Sequence, residues 1–211
     1  MDRALASGAS DCGSTPHRCT KGFMENILNI TSRKEFRKWL EENSSSEVEC
    51  WIAIKRAKPQ DDGTLYYLDA VEEALCFGWI DSTLKSVDGK SLQRFSKRTP
   101  NSPWTEKNKE RVRRLEKLNL MTDKGREVLP DMDVTHFKID KDVASALKEA
   151  RVYSKFKTFP PLYQRVRAYN VAFYKKLDYK KFKAALSRLI EQTKLGKMYG
   201  EWTDYGRLID Y

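Results

Sequence analysis

The sequence lacks most of the patterns by which enzymes and membrane proteins are recognised. No run approaches the roughly 18 apolar residues that a membrane-spanning helix needs, and the N-terminus has no apolar stretch typical of a secretory signal peptide. A Gly-rich phosphate loop, a nucleophile elbow and a zinc-ligand spacing are all missing. We therefore predict a cytoplasmic protein that does not insert into membranes and that has no metal or other cofactor.

Cysteine and histidine are scarce. The chain has four cysteines and two histidines among 211 residues. Cys50 and Cys76 lie in apolar runs and are predicted to be reduced core residues, because four cysteines at these spacings do not form a disulfide framework. His136 follows Asp131 and Asp133, but the spacing matches no metal-ligand pattern. We interpret this segment as a loop that links the two halves of the chain.

Positive charge is abundant and unevenly distributed. The formal net charge is +10, although residues 151–200 alone carry +11 and residues 94–114 carry +6, which leaves −7 for the remainder. Two basic zones on an otherwise acidic protein favour an anionic small molecule or an acidic macromolecule as the partner. Nucleic acid is one such partner.

Composition and periodicity divide the chain into three parts. Residues 1–23 are rich in small polar residues without periodicity and are predicted to be a disordered extension. Residues 24–129 are predicted to form an α+β domain. Residues 130–211 are predicted to be a mostly helical, basic portion, in which two long helices follow a Pro-Pro pair.

The stretch from residue 66 to 108 organises the α+β domain. A short amphipathic helix, whose Glu72 and Glu73 are expected to face away from the core, ends at Gly78. A hairpin turning at Asp88-Gly89 follows, and Thr105 is a suitable N-cap for the next helix. With a strand over 48–55 and a capping box at Ser32, this predicts a small antiparallel sheet, made of the hairpin plus one strand and packed by helices.

Three segments of this stretch resemble a known family. Residues 72–82 read Glu-Glu-Ala-Leu-Cys-Phe-Gly-Trp-Ile-Asp-Ser, and they are followed by Arg-Phe-Ser-Lys-Arg at 94–98 and Ser-Pro-Trp-Thr-Glu-Lys-Asn at 102–108. Together they resemble the YdeI or OmpD-associated family, also called the bacteriocin-protection family, over roughly residues 30–125. The resemblance implies a small bacterial α+β protein linked by name to resistance against antimicrobial peptides, with no established chemistry.

The end of the hairpin is the first candidate site. Cationic and aromatic side chains there, beside a helix N-terminus, would suit an anionic ligand. The alternative is that Arg94 or Arg98 pairs with Asp81 and only holds the hairpin together. The predicted ligand-binding residues are Lys55, Trp79, Asp81, Arg94, Arg98, Ser102, Trp104 and Asn108.

The C-terminal helices supply the second candidate site. Their basic face could follow the phosphates of a polyanion, or it could be an ordinary solvated lysine face. The aromatic residues of the last 14 positions could stack on bases, or they could fold back on the core. The predicted polyanion surface consists of Lys175, Lys176, Lys180, Lys181, Lys183 and Arg188.

A non-enzymatic binding module for an anionic ligand or polyanion is the function that these patterns favour. The family resemblance adds a connection to bacteriocin resistance. The alternative is an enzyme that acts on a small anionic substrate, with Asp81 as the base and Arg94 and Arg98 as an anion clamp. The sequence leaves the oligomeric state open.

Overall fold

The computed structural model describes residues 26–87 and 89–211, and within these ranges it contains eight α-helices and a four-stranded sheet. The predicted disordered extension, with Cys12, His17 and Cys19, lies outside the described residues, as does Asp88 of the predicted turn. No helix in the described ranges combines the length and the apolar character needed to cross a membrane. The α+β fold class is confirmed.

The helices include those expected after Ser32, before Gly78, after Thr105 and from the Pro-Pro pair onward. They are α1 (Arg33–Asn43), α2 (Tyr67–Cys76), α3 (Glu106–Lys117), α4 (Asp123–Glu127), α5 (Lys141–Glu149), α6 (Tyr153–Lys157), α7 (Pro161–Leu177) and α8 (Tyr179–Lys194). A 3-10 turn (Val134–His136) lies between α4 and α5.

The strands are β1 (Ile27–Leu28), β2 (Glu49–Ala53), β3 (Trp79–Val87) and β4 (Lys90–Lys97), arranged in the order β1-β2-β4-β3. The β2–β4 and β3–β4 pairs are antiparallel, as predicted, and Asp81 of β3 lies opposite Phe95 of β4. The sequence analysis missed β1, which pairs in parallel with β2. Two residues are too few for an alternating pattern to reveal a strand.

Helix caps account for several of the predicted boundaries. The Ser32 hydroxyl accepts a hydrogen bond from the Glu35 backbone N–H, and the Glu35 carboxylate accepts one from the Ser32 N–H, so the capping box is confirmed. Thr105 caps α3 by accepting from the Asn108 N–H at 3.1 Å. These caps satisfy N–H groups that have no partner within their own helix.

Gly78 is required by both conformation and space. Gly78 lies just after the end of α2 and has a φ of +73°. A Cβ atom at this position would lie 3.0 Å from both the Lys124 carbonyl oxygen and Val128 Cγ2. The glycine therefore allows the chain to leave α2 in the left-handed region while α4 packs close against it.

Two main groups of buried apolar side chains hold the elements together. The first lies between the sheet and α1–α3 and includes Phe36, Ile52, Trp79 and Phe95. Trp79 is 0% exposed, so it fills the core and does not line a pocket. The second group lies among α5–α8, and Tyr199 and Trp202 of the C-terminal segment pack against it. These two aromatic residues therefore fold back on the core.

Glu72 and Glu73 lie on the polar face of α2, as expected, but they are buried, which the sequence analysis did not predict. Their exposed fractions are 0% and 2%. Arg33 of α1, Arg114 of α3 and Arg207 of the C-terminal segment all donate to Glu72, at 2.9, 3.0 and 3.1 Å. Arginines from other parts of the chain therefore cover the polar face of α2, and we call this cluster the buried ionic network.

Candidate anion-binding site

The first candidate site does not assemble as a single cluster. Lys55 is exposed at the end of β2, where its Nζ lies 3.2 Å from the Tyr66 hydroxyl. The Ser102 hydroxyl accepts a hydrogen bond from the Thr99 N–H at 3.0 Å and fixes the loop before α3. With Trp79 in the core, these predicted ligand-binding residues lie apart from one another.

Asn108 is held by a buried arginine. Its Oδ1 accepts a hydrogen bond from Arg111 Nη1 at 2.7 Å, and Arg111 also donates to both carboxylate oxygens of Asp204, at 2.6 and 3.0 Å. Asn108 is 7% exposed, so it supports this ion pair from within α3.

Arg94 and Asp81 lie on opposite faces of the sheet. Asp81 is the cross-strand partner of Phe95, and the neighbouring residue Arg94 points the other way, since successive side chains of a strand alternate. Arg94 Nε donates to Glu49 at 2.8 Å. Asp81 accepts a hydrogen bond from the Tyr67 hydroxyl at 2.6 Å, and among the described residues it has no arginine or lysine within 4.0 Å.

Arg98 and Trp104 are the two predicted residues that line one cavity, of about 330 Å³. The Arg98 guanidinium carbon lies 3.5 Å from the Trp104 ring centroid, and Arg98 is 7% exposed. Its Nε and Nη2 atoms are buried and have no hydrogen-bond partner in the described residues. Burial lowers the pKa of Arg98 to about 10, while the charge of Asp81 opposes this shift. The third nitrogen, Nη1, donates to the Pro103 carbonyl oxygen at 3.3 Å, so Arg98 is a largely buried charge with two unpartnered nitrogens among the described residues.

The predicted polyanion surface is partly neutralised. Lys175 pairs with Asp140 and Asp142 at 3.2 and 2.6 Å, and Lys181 lies 3.5 Å from Asp178. Three exposed lysines of the surface have no carboxylate within 4.0 Å in residues 26–87 and 89–211: Lys176, Lys180 and Lys183.

A larger cavity lies between α7 and α8. Its volume is about 610 Å³, and we call it the α7–α8 cavity. Arg167 contributes from α7, Arg188 from α8 and Tyr199 from the segment after α8, and further aromatic side chains come from α7. Arg188 was assigned to the polyanion surface, whereas the sequence analysis did not single out Arg167.

The two arginines contact the same aromatic ring. The guanidinium carbons of Arg167 and Arg188 lie 4.8 and 4.7 Å from the Tyr199 ring centroid. Neither arginine has a carboxylate within 4.0 Å in the part of the chain that the structure describes, and no acidic residue lines the cavity. The cavity therefore has two positive charges without a counter-charge.

Gly200 makes room for one of these charges. Its φ is +67°, and a Cβ atom at this position would lie 2.6 Å from Arg167 Nη2. Any other side chain at position 200 would therefore displace the guanidinium and strain the backbone. Arg167 is also confined by Tyr163, whose ring centroid lies 5.8 Å from its guanidinium carbon. The Arg167 guanidinium therefore occupies space that only a glycine at position 200 leaves open.

The tyrosine that both arginines contact stays neutral. Burial raises the pKa of the Tyr199 hydroxyl, and the two arginines only partly offset this effect. A neutral ring presents its electron-rich face to a cation, which favours the observed contacts. Tyr199 therefore orients the guanidinium groups without cancelling their charge.

The Asp131–His136 loop is held by local hydrogen bonds. His136 Nδ1 lies 2.6 Å from Asp131 Oδ2, and Asp133 Oδ1 accepts a hydrogen bond from the Thr135 N–H at 2.8 Å. In the described part of the chain, no group of three or more His, Cys, Asp or Glu side chains is arranged to hold a metal ion.

The fold and the site define an α+β protein with a basic cavity in its helical half. Residues 28–128 match the family model of a domain of unknown function, DUF8412. This match ends before α7 and α8 and includes only Thr105 of the cavity lining. No curated protein and no solved structure matches the chain. The resemblance to the YdeI or OmpD-associated family stays a prediction.

Proposed function

We propose that the protein is a non-enzymatic binding module for a small anionic ligand, and that the α7–α8 cavity is its binding site. One observation carries the proposal: Arg167 and Arg188 both contact Tyr199, and neither has a carboxylate partner among the described residues. Arg111, by contrast, is paired with the carboxylate of Asp204. An anion would supply the partner that these two lack.

The geometry favours recognition of an oxyanion. Gly200 leaves room for the Arg167 guanidinium, which lies beside the rings of Tyr163 and Tyr199. A guanidinium group can donate two parallel hydrogen bonds to an oxyanion. Hydrogen bonds to charged groups contribute about 1.5–3 kcal/mol each, so the loss of one arginine should weaken binding at least about tenfold.

Isothermal titration calorimetry with inorganic pyrophosphate tests the proposal. The titration is made at low ionic strength, because salt screens exposed charges. We expect the wild-type protein to bind and Arg188→Gln to bind at least about tenfold more weakly. Lys194→Gln is the matched control, since it removes one positive charge from α8 outside the cavity lining. A wild-type protein that does not bind, or an equal loss in both variants, would contradict the proposal.

Binding of a longer polyanion, including nucleic acid, is an extension of the same proposal. The unpaired Lys176, Lys180 and Lys183 support it because they lie near the α7–α8 turn, on the helices that form the cavity. The enzymatic alternative has no comparable support. Arg94 is engaged by Glu49, and two of the three Arg98 nitrogens are buried, so an anion clamp beside Asp81 is not formed.

Location and physiological role are also proposals. The buried free thiols of Cys50 and Cys76 support a cytoplasmic location, because reduced cysteines are typical of that compartment. The family resemblance supports a role in resistance to antimicrobial peptides. A net charge of +10 opposes direct capture of cationic peptides, so such a role would act through the anionic ligand.

A further inference from the structure

The wall of the α7–α8 cavity formed by α7 carries three aromatic side chains: Tyr169, Phe173 and Tyr174. Tyr169 and Phe173 are one helical turn apart and stack with their ring centroids 6.2 Å apart at an interplanar angle of 27°. Phe173 and Tyr174 line the cavity and are 42% and 37% exposed. Exposed aromatic rings beside a cavity provide surfaces on which a planar ligand can stack.

The charge and size of the cavity indicate which other groups a ligand with a planar ring would contain. A phosphate monoester carries about −1.5 to −2 charges at neutral pH, which matches the two unpaired arginines better than a single carboxylate does. A volume of about 610 Å³ is far more than a bare oxyanion requires and falls within the range of drug-sized ligands. The ligand should therefore contain a large group as well as its anionic end.

Polar side chains complete the lining. Asn170 lies on α7 between the aromatic residues, and its side chain has no hydrogen bond to any described residue, so both its donors and its acceptor are available. The Thr105 hydroxyl accepts from the Asn108 N–H and keeps its own proton to donate. Such groups can hydrogen-bond to a sugar hydroxyl or to the edge of a base.

We propose that the α7–α8 cavity binds a nucleoside monophosphate, with the phosphate contacted by Arg167 and Arg188 and the base stacked on Phe173 or Tyr174. This inference rests on the proposed function, because it assigns a ligand class to the same site. It adds that the aromatic wall contributes to affinity independently of charge.

Calorimetry with three probes separates the contribution of base stacking from that of the phosphate contacts. AMP, ribose 5-phosphate and adenosine are titrated into the full chain under identical conditions. We expect AMP to bind about tenfold more tightly than ribose 5-phosphate, since stacking adds to the phosphate contacts. Adenosine, which lacks the phosphate, should bind more weakly than AMP.

Substitution of the aromatic wall provides the second arm. Phe173→Ala should reduce the affinity for AMP about tenfold and leave ribose 5-phosphate unchanged. Leu177→Ala, which removes an apolar side chain that is 68% exposed on the same helix outside the cavity lining, should alter neither. Unchanged melting temperatures will show that the variants are folded, and Tyr174→Ala replaces Phe173→Ala if that variant does not fold.

The outcomes distinguish this inference from the proposed function. Equal affinities for AMP and ribose 5-phosphate would overturn the inference while leaving the anion site in place. Binding of pyrophosphate without binding of AMP would also overturn the inference and leave the anion site in place. An absence of binding by every anion would overturn both proposals.

Discussion

Substitution of Glu72 should show how strongly the buried ionic network stabilises the protein. Its side chain is 0% exposed, and its two carboxylate oxygens accept hydrogen bonds from Arg33, Arg114 and Arg207. Glu72→Gln keeps the shape of the side chain but removes the charge. Arg33 and Arg207 would keep Asp69 or Glu73 as carboxylate partners, whereas Arg114 would have no carboxylate within 4.0 Å among the described residues.

The magnitude follows from the cost of an unbalanced buried charge. Removal of one partner from a buried ion pair costs about 3–5 kcal/mol, because the remaining charge is left without compensation. A protein of this size loses about 2–4 °C in melting temperature for each kcal/mol. We therefore expect Glu72→Gln to melt roughly 10 °C below the wild-type protein.

Urea denaturation and differential scanning calorimetry measure this loss. Glu41→Gln is the matched control, because Glu41 also pairs with an arginine, Arg37 at 3.2 Å, but its side chain is 53% exposed. That variant should remain within about 0.5 kcal/mol of the wild-type protein. If Glu72→Gln loses less than about 1 kcal/mol, the buried ionic network does not hold α2 in the way described.

Two further predictions concern the charged side chains of Arg98 and His136. Arg98→Met should leave the free energy of unfolding within about 1 kcal/mol of wild type or raise it, because a buried, incompletely hydrogen-bonded charge is replaced by an apolar chain; a loss above about 2 kcal/mol in urea denaturation would assign Arg98 a structural role. The carboxylate of Asp131 raises the pKa of His136 above its usual 6.5, so the stabilisation from this contact is complete below the unfolded-state pKa and is lost as the pH rises through the folded-state pKa. In an NMR titration, Asp131→Asn should lower the midpoint of His136, and an unchanged midpoint would contradict the assignment.

The features that the sequence predicted well are local ones. The caps at Ser32 and Thr105, the exit of α2 at Gly78 and the β3–β4 hairpin all depend on residues within a few positions of one another. Hydrogen bonding and backbone sterics over so short a span are largely independent of the rest of the fold. These elements were therefore accessible from the sequence alone.

The features that the sequence missed depend on distant residues meeting. Periodicity correctly placed the apolar face of α2, but it could not show that arginines from α1, α3 and the C-terminal segment cover Glu72 on the other face. Likewise, Arg167 and Arg188 are 21 positions apart on different helices, and only the antiparallel packing of α7 and α8 brings both to Tyr199. A count of charges located the basic zone but not the cavity within it.

The most direct test of the account observes the two arginines themselves. In an NMR titration with pyrophosphate, the side-chain Nε–H signals of Arg167 and Arg188 are assigned through Arg167→Lys and Arg188→Lys. We predict that both signals shift with the same saturating dependence on ligand, while that of Arg111, already paired with Asp204, stays in place. Unshifted signals from both arginines, or uniform shifts across all arginines, would contradict a binding site in the α7–α8 cavity.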